Sequence, residues 1–85
     1  MKYPLYCIRD IKANNFGLPQ ADTNDQTAER NFSFAINQPD GLMNYRPQDY
    51  DLYRVGEVDT ITGVITPLQV PEFITSGVNV FQKGV

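Results

Sequence analysis

The chain of 85 residues is long enough for one small domain, and two domains are excluded. Its single cysteine, Cys7, excludes an intramolecular disulfide, and the absence of histidine excludes zinc sites of the usual Cys/His type. The formal charge of −3 comes from seven basic and ten acidic residues spread along the chain, so no basic arm predicts long-range attraction to nucleic acid.

The composition leaves few ways to stabilise so thin a core. A domain of this size seldom gains more than about 5 kcal/mol from its core alone, and disulfides and zinc are excluded here. By elimination, we expect the protein to form a homo-oligomer. The first ten residues lack a signal-peptide pattern, and no segment is apolar enough for a membrane helix. We therefore expect a cytoplasmic protein that contacts no membrane.

The first quarter of the chain predicts two strands. Residues 3–9 are rich in aromatic and aliphatic types, and Pro4 favours a strand start or a sheet edge. Asn14 and Asn15 predict a tight turn, because asparagine tolerates the left-handed backbone. Residues 16–20 predict a short second strand.

Residues 23–37 predict the best-defined element, an amphipathic helix. Thr23 is the expected cap, and Gln26 three residues later completes a capping box. The apolar side chains recur at a helical spacing that places them on one buried stripe. That stripe consists of Ala28, Phe32, Ala35 and Ile36.

The second half predicts a loop, a hairpin and a tail. Two prolines and a glycine end the helix, and a loop of about ten residues follows. Residues 50–59 and 63–70 then predict a β-hairpin around a glycine-containing turn at 59–63. Pro67 and Pro71 break the strand pattern, so we expect a single domain over residues 1–71 and an extended C-terminal tail over 72–85. The fold class is α+β: a small, mainly antiparallel sheet with one packed helix, in the order β-β-α-β-β.

The residue types argue against an enzyme. Without histidine, the commonest general base and every Ser-His or Cys-His nucleophile pair are missing. Cys7 lies within the first strand, where a buried apolar side chain is a better reading than a reactive thiol. The acidic residues Asp49, Asp51, Glu57 and Asp59 are better read as solvated hairpin edges than as a metal site. We expect no catalytic residues, no cofactor, no metal and no small-molecule substrate.

Binding to single-stranded nucleic acid needs basic groups for phosphates and aromatic rings on which bases stack. Basic residues of the first strand, the helix and the hairpin converge if the two strands are neighbours, with two tyrosines as stacking groups. The candidates are Lys2, Tyr6, Arg9, Lys12, Arg30, Tyr53 and Arg54. In the alternative interpretation, the tyrosines pack in the core or an interface and the arginines pair with acids.

Five segments match a known family in order and spacing. They are YCIRDIK at 6–12, the helix pattern NDxxAxRNFSFAIN at 24–37, DYDLYRVGEVD at 49–59, TG at 62–63 and PLQVPEFITSG at 67–77. Together they resemble the small nonstructural protein of gokushoviruses, which are tailless single-stranded-DNA phages of the Microviridae. The resemblance implies a bacteriophage protein of the host bacterial cytoplasm, absent from the finished capsid, and some members are labelled DNA-binding proteins. It supplies no catalytic residues.

Two functional hypotheses follow. In the first, the protein is an accessory factor that binds single-stranded DNA or a phage or host replication protein during viral genome synthesis and packaging. In the second, it is an assembly adaptor or scaffold-type protein whose tail over 72–85 docks on the capsid or another phage protein.

Overall fold

The computed structural model describes residues 1–82 and contains one antiparallel sheet with helices against one of its faces. The strands are β1 (Lys2–Asp10), β2 (Asn15–Phe16), β3 (Gln20–Ala21), β4 (Tyr50–Asp59) and β5 (Ile65–Ser76). The helices are α1 (Asp25–Ile36), α2 (Leu42–Tyr45) and α3 (Gly77–Val80), with a 3-10 turn at Pro47–Asp49. The predicted α+β fold with a mainly antiparallel sheet is confirmed.

Two of the three long strands, β1 and β4, form the centre of the sheet. They pair along their whole length, from Lys2 opposite Asp59 to Asp10 opposite Tyr50. The strand order is β2-β1-β4-β5, with β3 also paired to β1, so β5 is an outer strand. Asn14 adopts a left-handed φ of 59°, which confirms the predicted turn. The second strand predicted over 16–20 is reduced to the two-residue strands β2 and β3.

Helix α1 is capped by Asn24, not by Thr23 as predicted. The backbone of Asn24 is extended, and its side-chain Oδ1 accepts a hydrogen bond from the Thr27 amide at 2.8 Å. This satisfies one of the amides that the first helical turn leaves unpaired. Of the predicted apolar stripe, Ala28, Phe32 and Ile36 are buried, and Ala35 is half-buried.

The core lies between α1 and the side of the sheet that faces it. Its buried cluster consists of Tyr6, Ala28, Phe32, Ile36 and Leu52. Met43 of α2 and Val80 of α3 pack against this cluster, so all three helices lie around the same core. Residues 42–49, predicted as a plain loop, instead form α2 and the 3-10 turn.

The chain after residue 71 differs from the predicted extended tail. Residues 72–76 continue β5, and Gly77–Val80 form α3. Ile74 and Phe81 gain burial against the core cluster. Asn37 fixes this segment, because its Nδ2 donates to the Val80 carbonyl at 3.0 Å and its Oδ1 accepts from the Gln82 amide at 2.8 Å. The last residues of the predicted tail, 83–85, lie outside the described residues.

The hairpin forms as predicted around residues 59–63, where Gly63 has a φ of 76°. The expectation that Pro67 and Pro71 end the strand was wrong, because β5 continues through both to Ser76. An outer strand has one unpaired edge, where a missing amide proton costs no ladder hydrogen bond. Arg54 pairs with Glu72 and Gly56 with Pro67, so residues 68–71 form a bulge opposite Val55.

Candidate nucleic-acid interface

The two faces of the sheet differ in what covers them. Tyr6 and Leu52 point toward α1 and belong to the core cluster. Because side chains alternate along a strand, the neighbouring residues Cys7 and Tyr53 point to the opposite face. All three helices pack around the core cluster, so the opposite side of the sheet, termed the open face, carries no helix of residues 1–82.

Three aromatic rings form a row across the open face, and together they are termed the aromatic row. Phe16 comes from β2, Tyr53 from β4 and Phe73 from β5. The ring centroids of Phe16 and Tyr53 lie 5.3 Å apart, and those of Tyr53 and Phe73 lie 5.7 Å apart. The interplanar angles of 74° and 78° describe edge-to-face contacts, a favourable arrangement of aromatic quadrupoles. Phe16 and Phe73 remain 44% and 51% exposed, so the row presents apolar ring surface to solvent.

Arg9 extends the row at the Phe16 end. Its guanidinium carbon lies 5.7 Å from the Phe16 ring centroid, within cation–π range, and its Nη2 donates to Asn14 Oδ1 at 2.8 Å. Within residues 1–82, Arg9 makes no ion pair, and its buried Nε makes no hydrogen bond. Asp51 lies opposite Arg9 in the β1–β4 register and reduces the local positive potential. The site therefore offers a large stacking surface beside the guanidinium of Arg9.

Tyr6 and Arg54 lie on the other side of the sheet, where both contact α1. The Tyr6 hydroxyl donates to Asp25 Oδ1, and Arg54 Nη1 lies 3.5 Å from the same oxygen. Burial, together with the hydrogen bond to Asp25 and its charge, raises the pKa of Tyr6. Tyr6 is only 4% exposed, so its ring has no free face for a base. The two strands β1 and β4 are neighbours, so that condition for convergence is met, but alternation separates Arg54 from Tyr53.

The remaining predicted residues lie apart from one another. Lys2 is at the far end of β1, with its Nζ 3.8 Å from Glu57 Oε1. Lys12 is exposed in the turn that follows β1, two residues after Asp10 and three residues after Arg9 in the sequence. Arg30 is exposed on the outer side of α1. Of the seven candidates, the structure brings together Arg9 and Tyr53, with Lys12 on the adjoining turn.

Sequence reasoning missed Phe16 and Phe73. Phe16 was assigned to a weak strand and Phe73 to a tail, so neither had a predicted neighbour. The register supplies the missing information, because Phe16 lies opposite Arg9 and Phe73 lies opposite Tyr53. The signal available in the sequence was Tyr53, because residues opposite it on neighbouring strands pack against it and so belong to the same site.

Acidic residues of the predicted cluster have local structural partners. Asp49 pairs with Arg46 at 3.4 Å, and Asp59 Oδ1 accepts from the Ile61 amide at 2.9 Å within the hairpin turn. In the part of the chain that the structure describes, no three His, Cys, Asp or Glu side chains are placed to hold a metal ion.

Cys7 is buried on the open-face side of β1, and this burial raises the pKa of its thiol.

A cavity of about 500 Å³ lies on the helix side of the sheet, between α1 and residues 17–22. Ile8, Phe32 and Leu52 contribute its apolar floor, and Asn31 lies at its rim, where its amide donates to Asp22 at 2.8 Å. None of the predicted basic residues lines it.

In residues 1–82, no helix is both long and apolar enough to cross a membrane.

The sequence profile of one family, described as Phage ORF5 protein, matches residues 3–80. The match covers β1 except Lys2, together with every later strand and helix through Val80. This chain belongs to the Phage ORF5 protein family. It is therefore a phage protein, as the resemblance implied, and the aromatic row and Arg9 lie wholly within the matched region. Comparison with curated proteins and with solved structures gives no match.

Proposed function

We propose that this Phage ORF5 protein is the nonstructural accessory protein of a gokushovirus, and that it binds single-stranded viral DNA during genome synthesis and packaging. The observation that carries the proposal is the aromatic row on a sheet face that no helix of residues 1–82 covers, next to Arg9, which makes no ion pair within those residues. The membership of the chain in a phage family supports the phage setting. The Microviridae resemblance supports the stage of the life cycle.

Stacking supplies most of the affinity in this proposal. Proteins that bind single strands use aromatic side chains on which successive bases stack, and each stacked base contributes about 1–3 kcal/mol. Phe16 and Phe73 are each about half exposed, and Tyr53 lies between them. A duplex keeps its bases stacked inside, so the row favours single strands over duplex DNA.

Electrostatics supplies a smaller share. Within residues 1–82, Arg9 lies beside the row and Lys12 lies on the turn that follows β1, while the chain carries a formal charge of −3. Neutralising about two phosphates of a single strand gives a slope of about −1.4 in a plot of log affinity against log salt. Affinity then falls about sevenfold between about 50 and 200 mM salt, a weaker dependence than that of strongly basic DNA-binding proteins.

The adaptor hypothesis receives less support from the fold. It depended on a C-terminal tail free to dock on another protein, whereas residues 72–82 form the end of β5, α3 and contacts to Asn37. Binding to a replication protein is the alternative that follows if DNA does not bind.

The test is a fluorescence-anisotropy titration of a labelled oligothymidine of about 16 nucleotides and of a duplex of equal length, at low and moderate salt. We expect single-strand binding that exceeds duplex binding. Arg9→Gln should lower affinity and reduce the magnitude of the salt slope by about 0.7. Arg30→Gln is the matched control, because Arg30 is exposed on α1 and lies away from the row. Failure of the folded wild-type protein to bind single strands at low salt overturns the proposal.

A further inference from the structure

The open face continues beyond the aromatic row into the outer half of the sheet. Residues 1–5 and 55–70, termed the distal arm, comprise the start of β1, the end of β4, the hairpin turn and the start of β5. Tyr3, Val58 and Ile65 lie side by side across the three strands. Tyr3 is in phase with Cys7, so this trio lies on the open face.

The distal arm is exposed to an unusual degree for an apolar segment. Every residue from 60 to 73 is exposed. Ile61 is 84% exposed, Ile65 61% and Val70 71%. The arm is buried only where it joins the rest of the sheet, at Pro4, Leu5 and Gly56, so the exposed apolar side chains of its hairpin end favour burial against another surface.

The excess exposed area of the whole chain is similar in size to one side of a standard protein interface. A compact monomer of 9.6 kDa is expected to expose roughly 5,100 Å². This chain exposes 5871 Å², an excess of about 800 Å², and a stable interface buries about 800 Å² per partner. The elongation points the same way: the radius of gyration is 13.3 Å, against about 12 Å for a compact chain of this length.

The charges of the arm lie on one side only. Lys2 pairs with Glu57 at 3.8 Å, and Lys2 and Asp59 are cross-strand partners in phase with Pro4 and Tyr6, on the helix side. The open face of the arm carries no charged side chain. The phosphates of a nucleic acid would therefore find no basic partner there. Two copies of this uncharged surface can pack on each other without charge repulsion at the contact, although each chain is acidic.

We propose that a second copy of this chain packs face to face on the distal arm to form a homodimer. Association through the β5 edge is disfavoured, because Pro67 and Pro71 each lack an amide proton and residues 68–71 form a bulge. Overlap limited to the distal arm leaves the aromatic row of each copy uncovered. The dimer supplies the additional stabilisation that a chain with one cysteine and no histidine cannot obtain from disulfides or zinc.

The test is sedimentation equilibrium of the full chain over a wide concentration range. The expected result is a reversible change from a monomer of 9.6 kDa to twice that mass. Ile65→Lys should weaken dimerisation at least tenfold, because it places a charge in the centre of the contact. Leu18→Lys is the matched control, since Leu18 is 89% exposed but lies outside the arm.

A second measurement locates the contact without any substitution. Backbone amide shifts followed by NMR on dilution should change at residues 3–5 and 56–70 and remain constant in α1. A monomer at every concentration overturns the proposal. A dimer that Ile65→Lys leaves intact, or whose dilution shifts lie outside the arm, overturns it as well.

Discussion

The glycine that begins α3 provides a sharp test of the packing between the C-terminal segment and the core. Gly77 is buried, and a Cβ placed on it would lie 2.1 Å from the Pro47 carbonyl oxygen and 2.9 Å from Ile36 Cδ1. The first of these neighbours is backbone and cannot rotate away. Gly77→Ala therefore requires α3 or the 3-10 turn to shift by about 1 Å, which is the overpacking that typically costs 1–3 kcal/mol.

The expected destabilisation lies at the upper end of that range, about 3 kcal/mol. In a domain of this size, such a loss lowers the melting temperature by about 12–24 °C. Urea unfolding followed by far-ultraviolet circular dichroism measures it. Gly41→Ala is the control, because its Cβ would approach no atom closer than 3.3 Å, and we expect a change of less than about 1 kcal/mol. A Gly77→Ala protein within about 0.5 kcal/mol of wild type would contradict the packing described for α3.

Two further predictions concern side-chain hydrogen bonds. Asn37→Ala removes the hydrogen bonds to Val80 and Gln82 and should lower the free energy of unfolding by about 1–2 kcal/mol. Amide hydrogen exchange at Gln82 should become faster. Unchanged exchange there would show that Asn37 does not fix this segment. Tyr6→Phe should be less stable than wild type at pH 7, by about 1 kcal/mol, because the hydrogen bond to Asp25 is lost. The folded-state pKa of Tyr6 is raised, so its stabilising contribution is present below pH about 10 and is lost as pH rises further, by up to about 1.4 kcal/mol per pH unit. The stability difference between the two proteins should therefore shrink above pH 10, and a constant difference up to pH 11.5 would refute the assignment.

Local patterns in the sequence were sufficient for the elements that depend on neighbours in the chain. The helical spacing of Ala28, Phe32 and Ile36 predicted the buried stripe of α1, and Asn14 predicted the turn after β1. The turn at 59–63 likewise followed from local composition. These features depend on propensity and periodicity, which a single sequence displays directly.

Features that depend on distant contacts were not predictable. Pro67 and Pro71 indicate the end of a strand unless that strand is known to be outermost, and the sheet order is a tertiary property. Residues 72–82 lack a helical period long enough to signal α3, whose position depends on contacts with Asn37 and Pro47.

The candidate site shows the same limit. Tyr53 and Arg54 are adjacent in sequence, yet alternation places one on the open face and the other beside Asp25. Tyr53 and Arg9 were recognised from residue type. Phe16 and Phe73 required the strand register, which is set by pairing across β1, β4 and β5.

The most direct test of the central claim compares single-strand binding by two phenylalanine variants in the same anisotropy assay. Phe73→Ala removes one ring of the aromatic row and should weaken binding between about fivefold and more than a hundredfold, equivalent to about 1–3 kcal/mol. Phe34→Ala removes a ring of α1 that is 72% exposed and lies away from the row, so its affinity should equal that of wild type. Equal affinities for wild type, Phe73→Ala and Phe34→Ala would contradict DNA binding on the open face.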